Sequence, residues 1–140
     1  MEARVRLLKP IGSTFCFRAD EMPALGGAGL APSPLAYVSA GVGFCFMTQL
    51  GRYAQIMRWR LDSCAIVQDN DYPSMGRLAD GNVRGSAIPF ETHVFVRSGR
   101  SDDDARRLVA VGERTCFLHA AMRGAFPGRV RAELNGRPIL

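Results

Sequence analysis

The chain has 140 residues, of which 47% are hydrophobic and 22% are charged, which is typical of one globular domain with a sizeable core. Its formal net charge of +5 comes from arginines interleaved with acidic residues, so no basic strip for nucleic acid is expected. No apolar stretch reaches the roughly 18 residues of a membrane span, and the N-terminus lacks a signal-peptide pattern. We expect a soluble, cytoplasmic, single-domain protein (residues 1–140) that binds neither membrane nor nucleic acid.

Turn residues and alternating apolar residues predict the first elements of the chain. Residues 4–8 and 13–18 should form a hairpin, followed by a Gly- and Pro-rich loop over residues 19–33. Ser33 is the expected N-cap of a long helix that starts at Pro34. Two adjacent apolar stripes predict that its first half is buried on both sides: Leu35, Val38, Val42 and Cys45, beside Phe46, Leu50, Tyr53 and Met57.

The second half of the sequence predicts strands before and after one helix. Strands are expected over residues 61–67 and 83–97, with a polar turn region between them, and a last strand over residues 129–134 before an Asn-Gly turn. A second helix should run from its N-cap Ser101 to about Arg123, because three aspartates follow the cap and Gly124 can end the helix. This order predicts an α+β fold, a mostly antiparallel sheet packed on two helices, a long central one and a second one.

The four cysteines are the most informative residues for function. They are widely spaced, at positions 16, 45, 64 and 116, and include no Cys-x-x-Cys pair. This spacing argues against a disulfide scaffold and against a zinc site. His93, in an alternating segment, is interpreted as a sheet residue rather than a metal ligand. The sequence therefore predicts neither a metal nor a cofactor.

Cys45 and Cys116 each lie in an apolar helical stretch, which makes them the candidates for thiol chemistry. The glycines before Cys45, in Gly41-Val42-Gly43, allow another segment to approach closely. His119 follows Cys116 by three residues and can share its helix face. Taken alone, a cysteine in such a place is more commonly a small buried hydrophobic residue, and a histidine such as His119 is more commonly structural.

The ordered set of these segments resembles the two signature regions of the OsmC/Ohr superfamily of thiol-dependent peroxidases. In that family a Gly-rich loop and a proline precede a long helix with the peroxidatic cysteine, and residues 25–29 and then 34–46 are similar to this pattern. A second helix carries the resolving cysteine and is followed by Arg-Gly, as Cys116 is followed by Arg123 and Gly124. The resemblance covers roughly residues 20–134.

The resemblance implies an intertwined homodimer with its active site at the subunit interface. It also implies a reaction in which Cys45 attacks the distal oxygen of a hydroperoxide and becomes a sulfenic acid. Cys116 then condenses with it to a disulfide, which an external dithiol reduces. The apolar surroundings of both cysteines favour an organic hydroperoxide as substrate.

Three positions depart from the family pattern. Leu35 stands where the family usually has a glutamate, no arginine matches in the hairpin segment 9–12, and Phe117 replaces a proline. Since the glutamate and arginine hold the thiolate in the family, Arg18 and Glu21 are supporting candidates for that role. The alternative is a non-catalytic or divergent member that binds a small hydrophobic ligand or acts as a redox sensor, so the assignment as a peroxidase stays open.

Overall fold

The N-terminal segments form a hairpin and a loop. The computed structural model describes residues 1–7, 12–75, 81, 84–85, 89–124 and 131–138. Strands β1 (Glu2–Arg6) and β2 (Thr14–Arg18) pair antiparallel, with Val5 opposite Phe15. The predicted hairpin is therefore confirmed, although residues 8–11 of its turn lie outside the described residues.

Asp20 holds the Gly-rich loop that follows β2. Its carboxylate accepts hydrogen bonds from the backbone N–H groups of Glu21 at 3.0 Å, Ala28 at 3.1 Å and Leu30 at 3.1 Å. These bonds, above all the one from Leu30, hold the pKa of Asp20 below its ordinary value because they stabilise the charged carboxylate. The loop, which contains a short 3₁₀ helix (Pro23–Leu25), therefore reaches the long helix along a fixed path.

The central helix is α1 (Pro34–Ile56). Ser33 Oγ accepts a hydrogen bond from the Ala36 N–H at 3.3 Å, so the predicted cap is confirmed. Leu35 and Val38 are 45% and 38% exposed, and the first half of α1 is thus less covered than predicted, because no described segment of the single chain packs on that side. One stripe of the helix is buried: Val42, Phe46, Leu50 and Ala54.

Strands β3 (Ser63–Asp69) and β6 (Glu91–Arg97) form the antiparallel pair that contacts α1 through β3. Half-buried and exposed residues alternate along both strands, as expected for a ladder with one face on the core. The strand predicted over residues 61–67 begins later, at Ser63. Of the strand predicted over residues 83–97, the end belongs to β6, and residues 83 and 86–88 lie outside the described residues.

The remaining strands are short. β4 (Ser74–Met75) pairs with β5 (Arg84–Gly85), and β7 (Glu133–Leu134) pairs with β8 (Arg137–Pro138). The predicted Asn-Gly turn is confirmed, since Asn135 and Gly136 have φ angles of 52° and 79°. All four strand pairs among the described residues are antiparallel and two-stranded, so the antiparallel character is confirmed, but these strands form no single continuous sheet.

The predicted second helix is in fact two helices, α2 (Asp102–Thr115) and α3 (Phe117–Arg123). Ser101 caps α2 as predicted, accepting a hydrogen bond from the Asp104 N–H at 3.2 Å. Cys116 has an extended backbone, with φ −76° and ψ 116°, and ends α2. The prediction of one continuous helix to Arg123 is therefore wrong. The break lets both α2 and α3 contact α1.

The core lies where α1 meets α2, with β3 and β6 packed against it. Its buried residues are Phe46, Leu50, Ala54, Leu108 and Cys116. Within the described ranges, no helix combines the length and the apolar character needed to cross a membrane.

Candidate functional site

Cys45 and Cys116 meet where α1 passes the joint between α2 and α3. Cys116 is 0% exposed, whereas Cys45 is half-buried and packs against the same core cluster. Both are free thiols, and Cys45 lies close enough to affect the ionisation of Cys116. The fold thus brings together the two cysteines singled out from the sequence.

The ionisation of Cys116 is governed by its burial. Burial raises the pKa of its thiol, and the neighbouring Cys45 raises it further. The nearby backbone N–H groups of His119 and Leu118 act in the opposite direction, since they favour a thiolate. Because the pKa is raised overall, Cys116 is a neutral thiol near pH 7 and needs a proton acceptor before it can act as a nucleophile.

His119 lies beside that thiol. Its Nδ1 is 3.2 Å from Cys116 Sγ, and its Nε2 is 3.2 Å from Thr92 Oγ1. The ring is 5% exposed and packs edge-on against Phe46 and Phe90, at centroid distances of 4.7 and 5.4 Å. Burial lowers the pKa of His119, because a charged imidazole is poorly solvated there.

Thr92 and Gln68 extend this contact across the β3–β6 pair. The two residues are directly opposite in the strand register, and the Thr92 hydroxyl donates a hydrogen bond to Gln68 Oε1 at 2.7 Å. Gln68 Nε2 is buried and has no hydrogen-bond partner among the described residues. A line of polar side chains (Gln68, Thr92 and His119, here called the polar line) therefore leads through an apolar core to the Cys116 sulfur.

Thr92 and Gln68 were not singled out from the sequence, although His119 was. Alternation along each strand indicates that both side chains face the core, but it does not give the offset between the strands. Only the register that pairs Gln68 with Thr92 brings their side chains together.

An open cavity of about 610 Å³ lies beside His119. Glu113 and Arg123, which also line it, form an ion pair with 2.6 Å between Glu113 Oε1 and Arg123 Nη1. Much of the remaining lining is apolar: Phe46, Phe90, Val94, Val109 and Met122. The cavity thus offers an apolar space with one charged pair next to the polar line.

The supporting candidates Arg18 and Glu21 lie in the hairpin and the loop. Arg18 Nε is 3.7 Å from Glu2 Oε2, and the Arg18 carbonyl accepts a hydrogen bond from the Tyr37 hydroxyl. The Glu21 carbonyl accepts a hydrogen bond from a backbone N–H in the loop at 3.0 Å. Among the described residues these contacts do not include Cys45, so a role for Arg18 or Glu21 at that thiol stays a prediction.

The two other cysteines lie apart from this pair. Cys16 is exposed on β2, and Cys64 is half-buried on β3, where burial raises the pKa of its thiol. In the part of the chain that the structure describes, no three His, Cys, Asp or Glu side chains are placed to hold a metal ion. Because Cys64 is half-buried like Cys45, it provides a matched thiol against which the reactivity of Cys45 can be compared.

Comparison with known proteins gives one family and one fold. Residues 26–130 match the family described as OsmC-like protein. No curated protein matches the chain significantly by sequence.

Solved structures share the fold over nearly the whole chain. An OsmC-like hydroperoxide resistance protein from Jannaschia sp. CCS1 has 22% identity and a TM-score of 0.69, covering 99% of this chain and 87% of that one. An organic hydroperoxide resistance protein from Legionella pneumophila has 17% identity and a TM-score of 0.63, covering 89% and 88%. An OsmC like protein from Mycoplasma pneumoniae has 13% identity and a TM-score of 0.63, covering 89% and 87%. Similarity at these identities shows a common fold.

Proposed function

Since this chain belongs to the OsmC-like protein family, we propose that it is a thiol-dependent hydroperoxide reductase, with Cys45 as nucleophile and Cys116 as resolving cysteine. The observation that carries the proposal is that Cys45 packs against the core cluster that contains Cys116 and affects the ionisation of that thiol. Relatives of the same fold that are named for hydroperoxide resistance support a peroxide-related role.

The first step is oxidation of Cys45. Its thiolate attacks the distal oxygen of the hydroperoxide, the O–O bond breaks, and Cys45 becomes a sulfenic acid. The alkoxide that leaves takes up a proton and departs as an alcohol, so two electrons pass from sulfur to the peroxide. Cys45 suits this step better than Cys116 because Cys45 is half-buried whereas Cys116 is fully buried.

The second step forms the disulfide. The Cys116 sulfur attacks the sulfur of the Cys45 sulfenic acid, the S–O bond breaks, and water leaves. An external dithiol then reduces the bridge by thiol–disulfide exchange and becomes a disulfide itself. This step requires that the two sulfurs be neighbours and that the Cys116 thiol lose its proton, and the packing of Cys45 against the cluster that contains Cys116 supports the first requirement.

We also propose that the functional unit is a homodimer. Large apolar side chains are uncovered on the hairpin and on α1, where Phe44 is 75% exposed, and a monomer seldom leaves such surface open to water. A second copy of the chain would cover it. Light scattering after gel filtration should give twice the chain mass of 15.3 kDa. A monomer mass at micromolar concentration would contradict the proposal.

The reaction is tested by treating the reduced protein with cumene hydroperoxide and mapping the products by mass spectrometry. We expect a loss of two hydrogens that maps to a Cys45–Cys116 bridge in the wild type and in Cys64→Ser. Cys116→Ser should stop at the Cys45 sulfenic acid, and Cys45→Ser should form no bridge. The peroxidase proposal fails if Cys45 is no more reactive than Cys64 and no bridge forms.

The alternative is a non-catalytic or divergent member that binds a small hydrophobic ligand or acts as a redox sensor, and the cavity beside His119 supports the ligand-binding form of it. The cavity volume of about 610 Å³ lies within the range of small-molecule sites. Native mass spectrometry of the purified protein would detect a retained apolar ligand. Retention of such a ligand, together with no turnover of peroxide, would favour this candidate over the reductase.

A further inference from the structure

The polar line ends at the sulfur that must lose a proton in the disulfide-forming step. We infer that His119 is the proton acceptor of Cys116 in that step, and that Thr92 and Gln68 are positioning residues that keep the ring hydrogen on Nε2 and leave the Nδ1 lone pair toward the sulfur. The inference rests on the proposed function, because it assigns a residue to the reaction of Cys116 with oxidised Cys45.

The direction of the hydrogen bonds follows from counting hydrogens. Thr92 has one hydroxyl hydrogen, which it donates to Gln68 Oε1 at 2.7 Å. The Thr92 oxygen therefore offers only a lone pair to His119 Nε2, 3.2 Å away, and Nε2 must carry the hydrogen. A neutral imidazole in this form has a free lone pair on Nδ1, which lies 3.2 Å from Cys116 Sγ. Nδ1 can thus accept the thiol proton.

The surroundings of His119 keep the ring neutral until that proton arrives. Its burial among aromatic side chains disfavours the charged form and lowers its pKa. The negative charge of Glu113 raises the pKa of His119, whereas the positive charge of Arg123 lowers it, as burial does. These two charged groups pair with each other at 2.6 Å, and among the described residues the thiols of Cys116 and Cys45 are the other titratable groups identified on this side. A neutral ring is what a proton acceptor requires.

The step balances with His119 included. The proton moves from Cys116 Sγ to His119 Nδ1, and the resulting thiolate attacks the sulfur of the Cys45 sulfenic acid. The S–O bond breaks, and the departing hydroxide takes the proton from Nδ1, so that water leaves and His119 is neutral again. The raised pKa of Cys116 makes this assistance necessary near pH 7.

The test isolates the attack by Cys116 from any reaction with peroxide. In a Cys16→Ser/Cys64→Ser background, 2,2′-dithiodipyridine places a thiopyridyl disulfide on Cys45, which mass spectrometry maps. This loading releases one equivalent of thiopyridone. Attack by Cys116 then forms the Cys45–Cys116 bridge and releases a second equivalent, whose absorbance gives the rate. In the same background Cys116→Ser should release the first equivalent and no second one. We expect His119→Asn to slow the release about 100-fold at pH 7, as for loss of a general base, and the deficit to shrink at higher pH, where hydroxide deprotonates the thiol.

His93→Asn is the matched control, because His93 is the only other histidine and is exposed on the opposite face of β6. It should release thiopyridone at the wild-type rate. Thr92→Val should move the imidazole hydrogen partly from Nε2 to Nδ1, seen in the ¹⁵N chemical shifts, and slow release at pH 7, while Thr92→Ser restores both. Thr92→Val also tests the inference if His119→Asn does not fold.

The outcomes separate the inference from the proposed function. Release at the wild-type rate from His119→Asn across pH 6–9 overturns the role of His119, even when cumene hydroperoxide forms the bridge normally. An unchanged tautomer and an unchanged rate in Thr92→Val overturn the roles of the positioning residues. Slow release from His119→Asn, in a protein whose wild type does not react with peroxide, supports the role of His119 while the reductase proposal fails.

Discussion

Gly112 of α2 lies directly against Leu50 of α1, with no room between them for a side chain. A β-carbon at position 112 would stand 2.5 Å from Leu50 Cδ2 and 2.9 Å from Phe46 Cε2. Both of these side chains are buried. The glycine therefore allows a close approach of α1, which carries Cys45, and α2, which ends at Cys116. The spacing of the two thiols depends on this contact as well as on their own side chains.

Replacing Gly112 with alanine should destabilise the protein. The added methyl group overpacks the core against Leu50 and Phe46, and we expect a loss of about 1–3 kcal/mol in the free energy of unfolding, measured by urea denaturation. Gly51→Ala is the matched control, since a β-carbon at this position of α1 would have no atom of another described residue within 4 Å. Gly51→Ala should stabilise by about 0.5–1 kcal/mol. Equal effects of the two substitutions would contradict the proposed close contact.

The proposed reductase activity should favour organic hydroperoxides over hydrogen peroxide. Cys45 packs against a core cluster of apolar side chains, so an apolar substituent on the peroxide gains burial, and each added methylene contributes about 0.8 kcal/mol. We expect kcat/KM for cumene hydroperoxide to exceed that for hydrogen peroxide by at least about tenfold. Steady-state assays with a dithiol as reductant measure both values. A preference for hydrogen peroxide would show that the apolar surroundings of Cys45 do not select the substrate.

Stability should fall in mild acid because of His119. Burial lowers the pKa of His119 in the folded chain, so the unfolded chain binds the proton more tightly. The stability that the neutral ring contributes is fully present above its ordinary pKa of 6.5 and is lost as the pH falls from there through the folded-state pKa. Urea denaturation from pH 7 to pH 5 should show a smaller decline for His119→Asn than for the wild type. His93→Asn should keep the wild-type decline. A parallel decline in all three proteins would show that protonation of His119 does not cause the loss of stability in acid.

Proline at position 117 should stabilise the joint between α2 and α3. Cys116 already has the extended backbone, φ −76° and ψ 116°, that the residue before a proline adopts. Phe117 is 75% exposed at the first position of α3, where proline is favoured and an N–H has no helical partner. We expect Phe117→Pro to raise the free energy of unfolding by about 0.4–1 kcal/mol, with Phe117→Ala separating the loss of the aromatic ring. A destabilised Phe117→Pro variant would mean that this N–H or this ring makes an important contact.

Local signals in the sequence predicted where helices begin. Ser33 before Pro34, and Ser101 before three aspartates, act through hydrogen bonds and charges within a few residues. The break at Cys116 could not be predicted in this way, because neither glycine nor proline occurs there. It accompanies the packing of α2 and α3 on α1, a contact between segments far apart in sequence.

The candidate site likewise has one part that could be predicted from the sequence and one part that could not. Cys45 and Cys116 could be proposed from the order of segments around them, which resembles a family pattern. The polar line could not, because Thr92 and Gln68 are ordinary strand residues until the pairing of β3 with β6 sets them side by side. The exposed surface of α1 was likewise mispredicted, since an apolar stripe in sequence does not say which chain covers it.

The extended residue at Cys116 also divides the helical region mechanically. Rotation about the backbone bonds of this one residue redirects α3 while the hydrogen bonds inside α2 and inside α3 stay intact. Phenylalanine at position 117 leaves φ of that residue without the constraint of a proline ring. The sulfur of Cys116 is therefore attached to the one residue whose backbone torsions set the direction of α3, the helix that carries His119.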